Sequence, residues 1–234
     1  MSSARQNQDV NKISAMAARG VNDSVITDIF KKLGNGRRAD ILDLGSGQGY
    51  NAQKLTSEGN AGTDIKVTCV DIDGGNFKLS ENDSIKFIKY DLNSEFEFGK
   101  FDFVIATEII EHLENPYSFI RSCLKNLKTD GRLYITSPNI ENIYSMIRIL
   151  LKRKPIYFQV NEPSGHIMPV FSFMVREALR RIDKYLSLRI SYNRNVFPII
   201  QPFKTGKKLI TVPGNNRFFG EVTIYEITRV KSFD

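Results

Sequence analysis

Short apolar runs alternate with segments of helical periodicity along most of this chain from residue 39 onward. This alternation predicts an α/β domain in which parallel strands lie buried between helices. Near-continuous apolar runs are typical of such buried strands. They predict five strands, at Ala39–Gly45, Ile65–Ile72, Ile85–Leu92, Phe101–Thr107 and Arg132–Pro138.

Helical patterns precede, interrupt and follow these strands. Residues 1–38 form an N-terminal segment that we expect to be helical. Residues 140–153 predict a basic amphipathic helix, and residues 173–186 predict another helix. We interpret residues 140–186 as a helical cap over the substrate region.

The last part of the chain predicts two further strands, at residues 188–197 and 221–230, that pair with each other. The segment between them, within residues 198–216, contains Pro, Gly and Lys with weak periodicity, and we expect an insertion or a loop there. Neither a linker nor a shift in composition marks a boundary. We therefore predict a single domain over residues 1–234.

The composition excludes several classes of protein. With 41% hydrophobic and 25% charged residues, the chain is neither disordered nor fibrous. Its two cysteines, Cys69 and Cys123, lie inside apolar runs, which argues against a disulfide framework and favours a reducing compartment. The first residues lack the apolar core of a signal peptide, and we see no integral membrane segment. We expect a soluble, cytoplasmic protein.

The formal net charge is +7, spread over several short basic clusters. Such a charge favours an anionic partner, which could be a nucleic acid, a phosphorylated small molecule or an acidic membrane surface. A solvated basic surface on an ordinary enzyme accounts for the same charge. The charge alone therefore does not identify a partner.

The most informative stretch is ILDLGSGQGY, which places Asp43, Gly45, Gly47 and Gly49 at the turn from the first strand into a helix. Glycines there allow positive φ angles and close approach of a ligand to the backbone. Tyr50 stands where a dinucleotide fingerprint has its last glycine, and no Gly-Lys-Ser/Thr of a P-loop is present.

Acidic residues follow at the ends of the next two predicted strands. Asp71 is placed to accept the hydroxyls of a ribose, Ile72 to offer an apolar face to a purine, and Asp91 to accept a hydrogen bond from an exocyclic amine. Each acid alone would also suit a turn or a helix cap. Because ligands of open parallel sheets bind beyond the carboxyl ends of the strands, the three strand ends together predict a nucleoside site.

These motifs carry a family resemblance. The segments ILDLGSGQG, VTCVDID, IKYDLN and FDFVIATEIIEHLENPYSFIRSCLKNLKTDGRLYITSPN resemble the class I S-adenosylmethionine-dependent methyltransferases, over residues 39–139 and more loosely to the end. The resemblance implies a Rossmann-like sheet of seven mostly parallel strands in the order 3-2-1-4-5-7-6, with the seventh antiparallel and helices on both faces. The segment DGGNFKLSEND departs from the family, because the helix expected there is short and glycine-rich.

The resemblance also implies S-adenosylmethionine as the cofactor. Gly45, Gly47 and the loop backbone would face its methionine part, and Thr107 and Glu108 would line the floor of the site. The cofactor-binding residues that we predict are Asp43, Gly45, Gly47, Asp71, Ile72, Asp91, Leu92 and Thr107.

The segment E-x-x-E-H-L-x-x-P, followed by S/T-P-N, resembles a narrower group. This group includes ubiquinone-biosynthesis, glycan and natural-product O-methyltransferases and small-RNA 2′-O-methyltransferases. The resemblance implies transfer to oxygen, for which we predict His112 and Glu108 as catalytic residues. We expect a small-molecule acceptor, such as a sugar, a phenol or a quinone-like compound, and the positive charge of the chain would suit an anionic one. The ribose of an RNA end is the alternative, and a non-catalytic binding protein is a third interpretation that the intact loop and acids argue against.

A cation site is a conditional prediction. Glu108 and Glu111 are three positions apart, His112 follows, and His166 could reach them from the cap. In some of the enzymes that this segment resembles, magnesium sits in such a site and lowers the pKa of the acceptor oxygen. The two imidazoles would also admit softer metals. Alternatively, Glu111 caps the following helix and His112 acts alone as the base. The sequence does not determine the oligomeric state.

Overall fold

A computed structural model of the protein describes residues 20–34, 37–58, 63–158, 165–200, 207–211 and 215–229. Its helices are α1 (Val21–Leu33), α2 (Tyr50–Ser57), α3 (Pro116–Lys125), α4 (Ile143–Lys152) and α5 (Ser172–Ile182), with a 3-10 turn at Ile110–His112. Its strands are β1 (Arg38–Leu44), β2 (Asp64–Asp71), β3 (Ile85–Lys89), β4 (Phe101–Thr107), β5 (Leu127–Pro138), β6 (Leu186–Ile200), β7 (Lys207–Thr211) and β8 (Gly220–Arg229). The helix expected within residues 1–38 is present as α1, and residues 1–19 lie outside the described ranges.

Within these ranges, eight strands form one sheet in the order β3-β2-β1-β4-β5-β8-β6-β7. Strands β1 to β5 are parallel, and β8 runs antiparallel between β5 and β6. The seven-stranded order that the resemblance implied is therefore confirmed, with β8 as the antiparallel seventh strand.

The eighth strand corrects one expectation. The interpretation of residues 198–216 as a loop is wrong for part of that segment, because β7 pairs antiparallel with the end of β6, from Val196 to Ile200. Strand β6 extends beyond the residues that pair with β8. In this extension its backbone groups form hydrogen bonds with β7. Residues 201–206 and 212–214 lie outside the described ranges.

Hydrophobic cores lie on both faces of the sheet. Strand β1 shows why: Ile41 packs into the core that includes α1 and α2, whereas Leu42 packs into the core that includes α3 and α5. Alternate residues of a strand point to opposite faces, so a strand covered by helices on both sides is apolar throughout. The near-continuous apolar run in the sequence is the consequence.

The connection between β2 and β3 contains no helix. Phe77 and Leu79 instead pack against the turn at Gly49, where a Cβ would lie 2.9 Å from Cδ1 of Leu79. The ring of Phe77 also packs against Phe87 of β3 in a tilted arrangement, with centroids 4.6 Å apart. The segment between β2 and β3, which departs from the family pattern in the sequence, therefore packs Phe77 and Leu79 beside the glycine turn instead of forming a helix.

The predicted cap consists of α4 and α5 with the segment between them, of which residues 159–164 lie outside the described ranges. Helix α4 begins shortly after the carboxyl end of β5, at the sheet edge where the glycine turn lies. In the described part of the chain, no helix has both the length and the apolar content that crossing a membrane requires.

Candidate cofactor and cation sites

The glycine turn lies at the carboxyl ends of β1 and β2. The amides of Gly45 and Ser46 both donate to the carbonyl of Val70, at 2.8 and 3.1 Å. Gly45 has a φ of 71°, and a Cβ on it would lie 2.9 Å from Cγ1 of Ile109. A side chain at this position would be strained in backbone and crowded in space, which is why the turn requires glycine.

Asp71 is hydrogen-bonded to the glycine turn. Its Oδ2 accepts from the amide of Gly47 at 2.8 Å, and its Oδ1 accepts from the amide of Asp73 at 3.0 Å. The carboxylate is half-buried, and each oxygen can accept a further hydrogen bond. Ile72 beside it is 61% exposed, which is unusual for an apolar side chain next to a buried strand.

Asp91 lies close to Asp71, because the amide of Tyr90 donates to the carbonyl of Asp71 at 2.9 Å. The Oδ1 of Asp91 accepts from the amide and the side chain of Asn93, at 2.9 and 3.1 Å. Asp91 is exposed, and the adjacent Leu92 is buried. The carboxylate of Asp91 therefore stabilises the turn that begins at Asp91, which is the alternative role that the sequence analysis gave for a single acid.

Asp43 lies fully buried beneath the glycine turn. Its Oδ1 accepts from Nδ2 of Asn51 at 2.9 Å, whereas its Oδ2 has no hydrogen-bond partner among the described residues. Burial raises the pKa of Asp43 to about 7, with the Asn51 hydrogen bond opposing the shift and the nearby charge of Asp71 adding to it. A buried acceptor with an unused oxygen is a place where a ligand donor would be stabilised.

Asn51 is a site residue that the sequence analysis missed. Besides its bond to Asp43, it accepts from Nδ2 of Asn22 at 2.8 Å, and its own Nδ2 lies 3.4 Å from Oγ1 of Thr107. These contacts connect α1, α2, β1 and β4 at one buried point. The only sequence signal was a polar residue at the start of a helix, which is common without any such role.

The second group of residues follows β4. The chain leaves the strand through Glu108, which has a φ of 52°, and then forms the 3-10 turn that contains Glu111 and His112. The amides of Ile167 and Met168 both donate to the carbonyl of Glu111, each at 3.0 Å. These two bonds bring the cap segment, and with it His166, beside Glu111.

One ligand atom from each of Glu111, His112 and His166 lies within 4.8 Å of the others. Nε2 of His166 is 3.9 Å from Oε1 of Glu111, and the two imidazole rings meet edge to face with centroids 4.8 Å apart. Glu108 is not in this group of atoms. Its Oε1 instead accepts from the hydroxyl of Thr136 at 3.1 Å.

The two histidines are held by different contacts. Nδ1 of His166 lies 3.1 Å from the carbonyl of Tyr157, and because a carbonyl only accepts, this nitrogen carries the proton. Nε2 lies on the side of Glu111, and a neutral ring with its proton on Nδ1 is the form that binds metals through Nε2. Desolvation lowers the pKa of His112, with a hydrogen bond to the Gly165 backbone opposing the shift.

The carboxyl groups of Glu108 and Glu111 lie in an environment that disfavours their ionised forms. Glu111 is fully buried, and within the described ranges neither of its side-chain oxygens has a hydrogen-bond partner. Burial raises the pKa of Glu111 well above its usual value, and the charge of Glu108 raises it further. Burial also raises the pKa of Glu108 to about 7, opposed by the Thr136 hydrogen bond. A cation among these groups would offset this cost.

Glu111 does not cap the following helix, which was the alternative role expected for it from the sequence. Helix α3 is capped by Asn115, whose side chain accepts from the amide of Ser118 at 3.0 Å. Glu111 is thus available for another role, and its oxygen donors beside two imidazole nitrogens fit a divalent cation.

The chain is similar to known proteins in sequence and in fold. A family model described as "Methyltransferase domain" matches residues 17–184 of this chain. The ubiquinone biosynthesis O-methyltransferase of Rickettsia bellii (strain OSU 85-389) is 32% identical over 101 residues, which are 43% of this chain and 42% of that protein. The aligned part thus spans less than half the length of this curated relative.

Solved structures share the fold. The SAM-dependent methyltransferase from Archaeoglobus fulgidus matches with a TM-score of 0.56 and 19% identity, over 89% of this chain and 95% of that one. The plantazolicin methyltransferase BamL, solved with a triazolic desmethylPZN analog and SAH, matches with a TM-score of 0.56 and 13% identity, over 90% of this chain and 85% of that one. At these identities the likeness concerns the fold.

Proposed function

Since the chain belongs to the class I S-adenosylmethionine-dependent methyltransferases, we propose that it transfers the methyl group of this cofactor to an oxygen atom of a small molecule. Relatives that align with part of the chain are named as O-methyltransferases, which supports oxygen as the acceptor atom. The net charge of +7 favours an acceptor with anionic character. A sugar, a phenol or a quinone-like compound offers such an oxygen, and one that carries an acidic group also matches the positive charge of the protein.

We assign the cofactor to the glycine turn and the acids around it. Gly45 and Gly47 let the methionine part approach the backbone, and the unused Oδ2 of the buried Asp43 can accept from its ammonium group. Asp71, half-buried and bonded to Gly47, accepts the ribose hydroxyls.

The adenine and the floor of the site complete this assignment. Ile72, exposed beside Asp71, packs on the adenine ring, while Asp91 and the amide of Leu92 bind its edge. Thr107 closes the floor at the end of β4, next to Asn51.

Transfer requires the acceptor oxygen in line with the methyl group and a way to remove its proton. We assign proton removal to His112, whose lowered pKa keeps the ring neutral and able to accept a proton near neutral pH. We assign Glu108 as the second catalytic group, supported by its pKa of about 7 and its hydrogen bond from Thr136.

We further propose a divalent cation at Glu111, His112 and His166, with Glu108 at its side. When bound there, such an ion would lower the pKa of the acceptor hydroxyl. His112 would then serve as a ligand rather than as a base. Carboxylate ligands suit Mg²⁺, whereas the two imidazoles also admit manganese, cobalt or zinc. The observation that carries this proposal is the buried Glu111 carboxyl, which no described residue hydrogen-bonds and which faces His166 at 3.9 Å.

The decisive experiment is a cofactor-turnover screen across glycans, phenols, quinols and short RNAs. Each acceptor is tested with divalent metal and with excess chelator, using the wild type and His112→Ala. Turnover on a phenol, quinol or glycan supports the proposal. Turnover on RNA alone would reassign the acceptor to RNA. Binding of S-adenosylhomocysteine (SAH) without turnover on any acceptor would favour a non-catalytic binding protein. Full activity in excess chelator would remove the cation and leave His112 as the base.

A further inference from the structure

Helix α4 exposes its apolar side chains. Its five large exposed apolar residues are Ile143, Met146, Ile147, Leu150 and Leu151, with Leu150 82% and Leu151 75% exposed. Their spacing places all five on one stripe of the helix. The buried residue on this helix is the small and polar Ser145. A helix that packs on a domain surface shows the opposite arrangement, with its apolar stripe against the core.

Polar contacts hold α4 in this orientation. The side chain of Asn142 caps the helix by accepting from the amide of Ser145 at 2.8 Å, and Oγ of Ser145 accepts from the amide of Ile156 at 3.1 Å. The amide of Ile143 donates to the carbonyl of Phe218 at 3.0 Å. The buried side of the helix is therefore fixed by hydrogen bonds, and the apolar stripe is directed outward.

Basic residues accompany the stripe. Arg148, which is half-buried, lies on α4, and Lys152, Arg153 and Lys154 form an exposed basic cluster at the end of the helix. Residues 142–158 contain no Asp or Glu, so this segment is uniformly positive. An outward apolar stripe with cations alongside is the combination found in helices that lie in the interface of an anionic bilayer.

We propose that α4 docks this protein on the surface of an anionic lipid bilayer. The apolar stripe enters the boundary between head groups and acyl chains, and the basic cluster contacts lipid phosphates. A second copy of the chain is a poorer occupant. A two-fold interface through α4 would bring each copy's basic residues towards those of the other, with no acid on this segment to balance them.

Docking would bring the edge of the sheet that holds the candidate sites towards the lipid. Ile167, 56% exposed, precedes Met168 and follows His166 in the cap, and the carbonyl of Tyr157, shortly after α4, contacts His166. An exposed apolar side chain thus lies next to the candidate cation site in the sequence, and the segment that follows α4 contacts that site. The docking itself does not depend on the proposed catalytic activity.

The test is co-sedimentation of the full chain with vesicles of phosphatidylcholine, alone or mixed with phosphatidylglycerol, without cofactor. We expect binding to the anionic vesicles that weakens as salt is added. Leu150→Gln combined with Leu151→Gln should weaken partitioning at least about tenfold, since two leucines no longer enter the interface. Lys152→Gln combined with Lys154→Gln should weaken it about tenfold and flatten the salt dependence.

Matched controls lie at the opposite edge of the sheet. Lys66→Gln combined with Lys86→Gln removes the same charge near the starts of β2 and β3, and Tyr185→Gln removes an exposed apolar residue before β6. Neither control should alter partitioning. Equal losses in controls and α4 variants would show a non-specific charge effect and would overturn the proposal, as would the absence of binding to anionic vesicles.

Because the natural chain contains no Trp, a single Trp can report insertion directly. We expect Leu150→Trp to shift its emission to shorter wavelength on anionic vesicles and to be quenched by brominated lipid, whereas Tyr185→Trp should do neither. A lipid-free dimer that the Leu150→Gln and Leu151→Gln pair dissociates, without vesicle binding, would assign the stripe to a second copy instead. Calorimetry with SAH on the same samples separates this outcome from a failure of the proposed function.

Discussion

Nε2 of His166 lies 3.9 Å from Oε1 of Glu111, although the two residues belong to distant parts of the sequence. The contact depends on the main chain, because two amides that follow His166 donate to the carbonyl of Glu111. The backbones of the two segments are therefore held together by hydrogen bonds that do not involve the side chains of Glu111 or His166. This makes Glu111 and His166 suitable positions for testing the cation site by mutation.

Divalent metal should stabilise the wild type and should not stabilise Glu111→Gln. The substitution keeps the size of the side chain but removes the charge that a cation requires. The measurement is the melting temperature with and without Mg²⁺ or Mn²⁺, together with turnover after chelation and metal restoration. Glu114→Gln, an exposed residue of the same segment, is the control and should behave as the wild type. A metal-induced rise that persists in Glu111→Gln would place the ion elsewhere.

Asp71→Ala should weaken SAH binding by about 1–3 kcal/mol, because two ribose hydroxyls would lose their acceptor. The turn at Gly47 also loses its hydrogen bond to this carboxylate in the variant. Calorimetry measures the affinity, and Asp73→Ala is the neighbouring control, since its side chain bonds only the amide of Gly75 among the described contacts. Equal affinity of Asp71→Ala and the wild type would contradict the assignment.

The stability of the cofactor-free protein should depend on the ionisation of Asp43. Its pKa is about 7 in the folded protein, against an ordinary value of 3.8. The folded state therefore binds more protons between these values, so the contribution of Asp43 to stability is fully present below pH 4 and is lost as the pH rises through about 7.

Asp43→Asn removes this titration while retaining an acceptor for Asn51. Relative to the wild type, its free energy of unfolding should improve by about 2–3 kcal/mol between pH 5 and pH 8. Urea denaturation at the two pH values measures the change. The comparison isolates Asp43, because other buried carboxyls are common to both proteins. A difference between the proteins that does not vary with pH would refute the assigned titration.

Asn51→Ala should destabilise the protein by about 2–4 kcal/mol, since it leaves the buried Asp43 and Asn22 without their hydrogen-bond partner. It should also weaken SAH binding, because Asp43 would no longer be held beneath the glycine turn. Combining it with Asp43→Asn in a double-mutant cycle measures the coupling of the two residues. Additive effects on unfolding would mean that the 2.9 Å contact contributes nothing specific.

Much of the fold was readable from the sequence alone. Five parallel strands appeared as apolar runs because a strand covered on both faces is apolar at every position, as Ile41 and Leu42 show. The sequence also predicted that Asp71 and Asp91 would lie close together, because parallel strands end at one edge of the sheet. Strand β7 was not predicted, because its short segment has only weak periodicity and becomes a strand through its pairing with β6.

The contacts that complete the sites were decided by tertiary structure. Asn51 joins Asn22, 29 positions away, to Asp43, and the carbonyl of Tyr157 contacts His166, through hydrogen bonds that no helix or strand periodicity in the sequence encodes. Periodicity in the sequence indicated that α4 is amphipathic, but only the structure directed its apolar stripe outward, by burying Ser145. A local pattern records whether a residue suits a helix, a strand or a core. Which distant partner it meets depends on how the whole sheet and its helices pack.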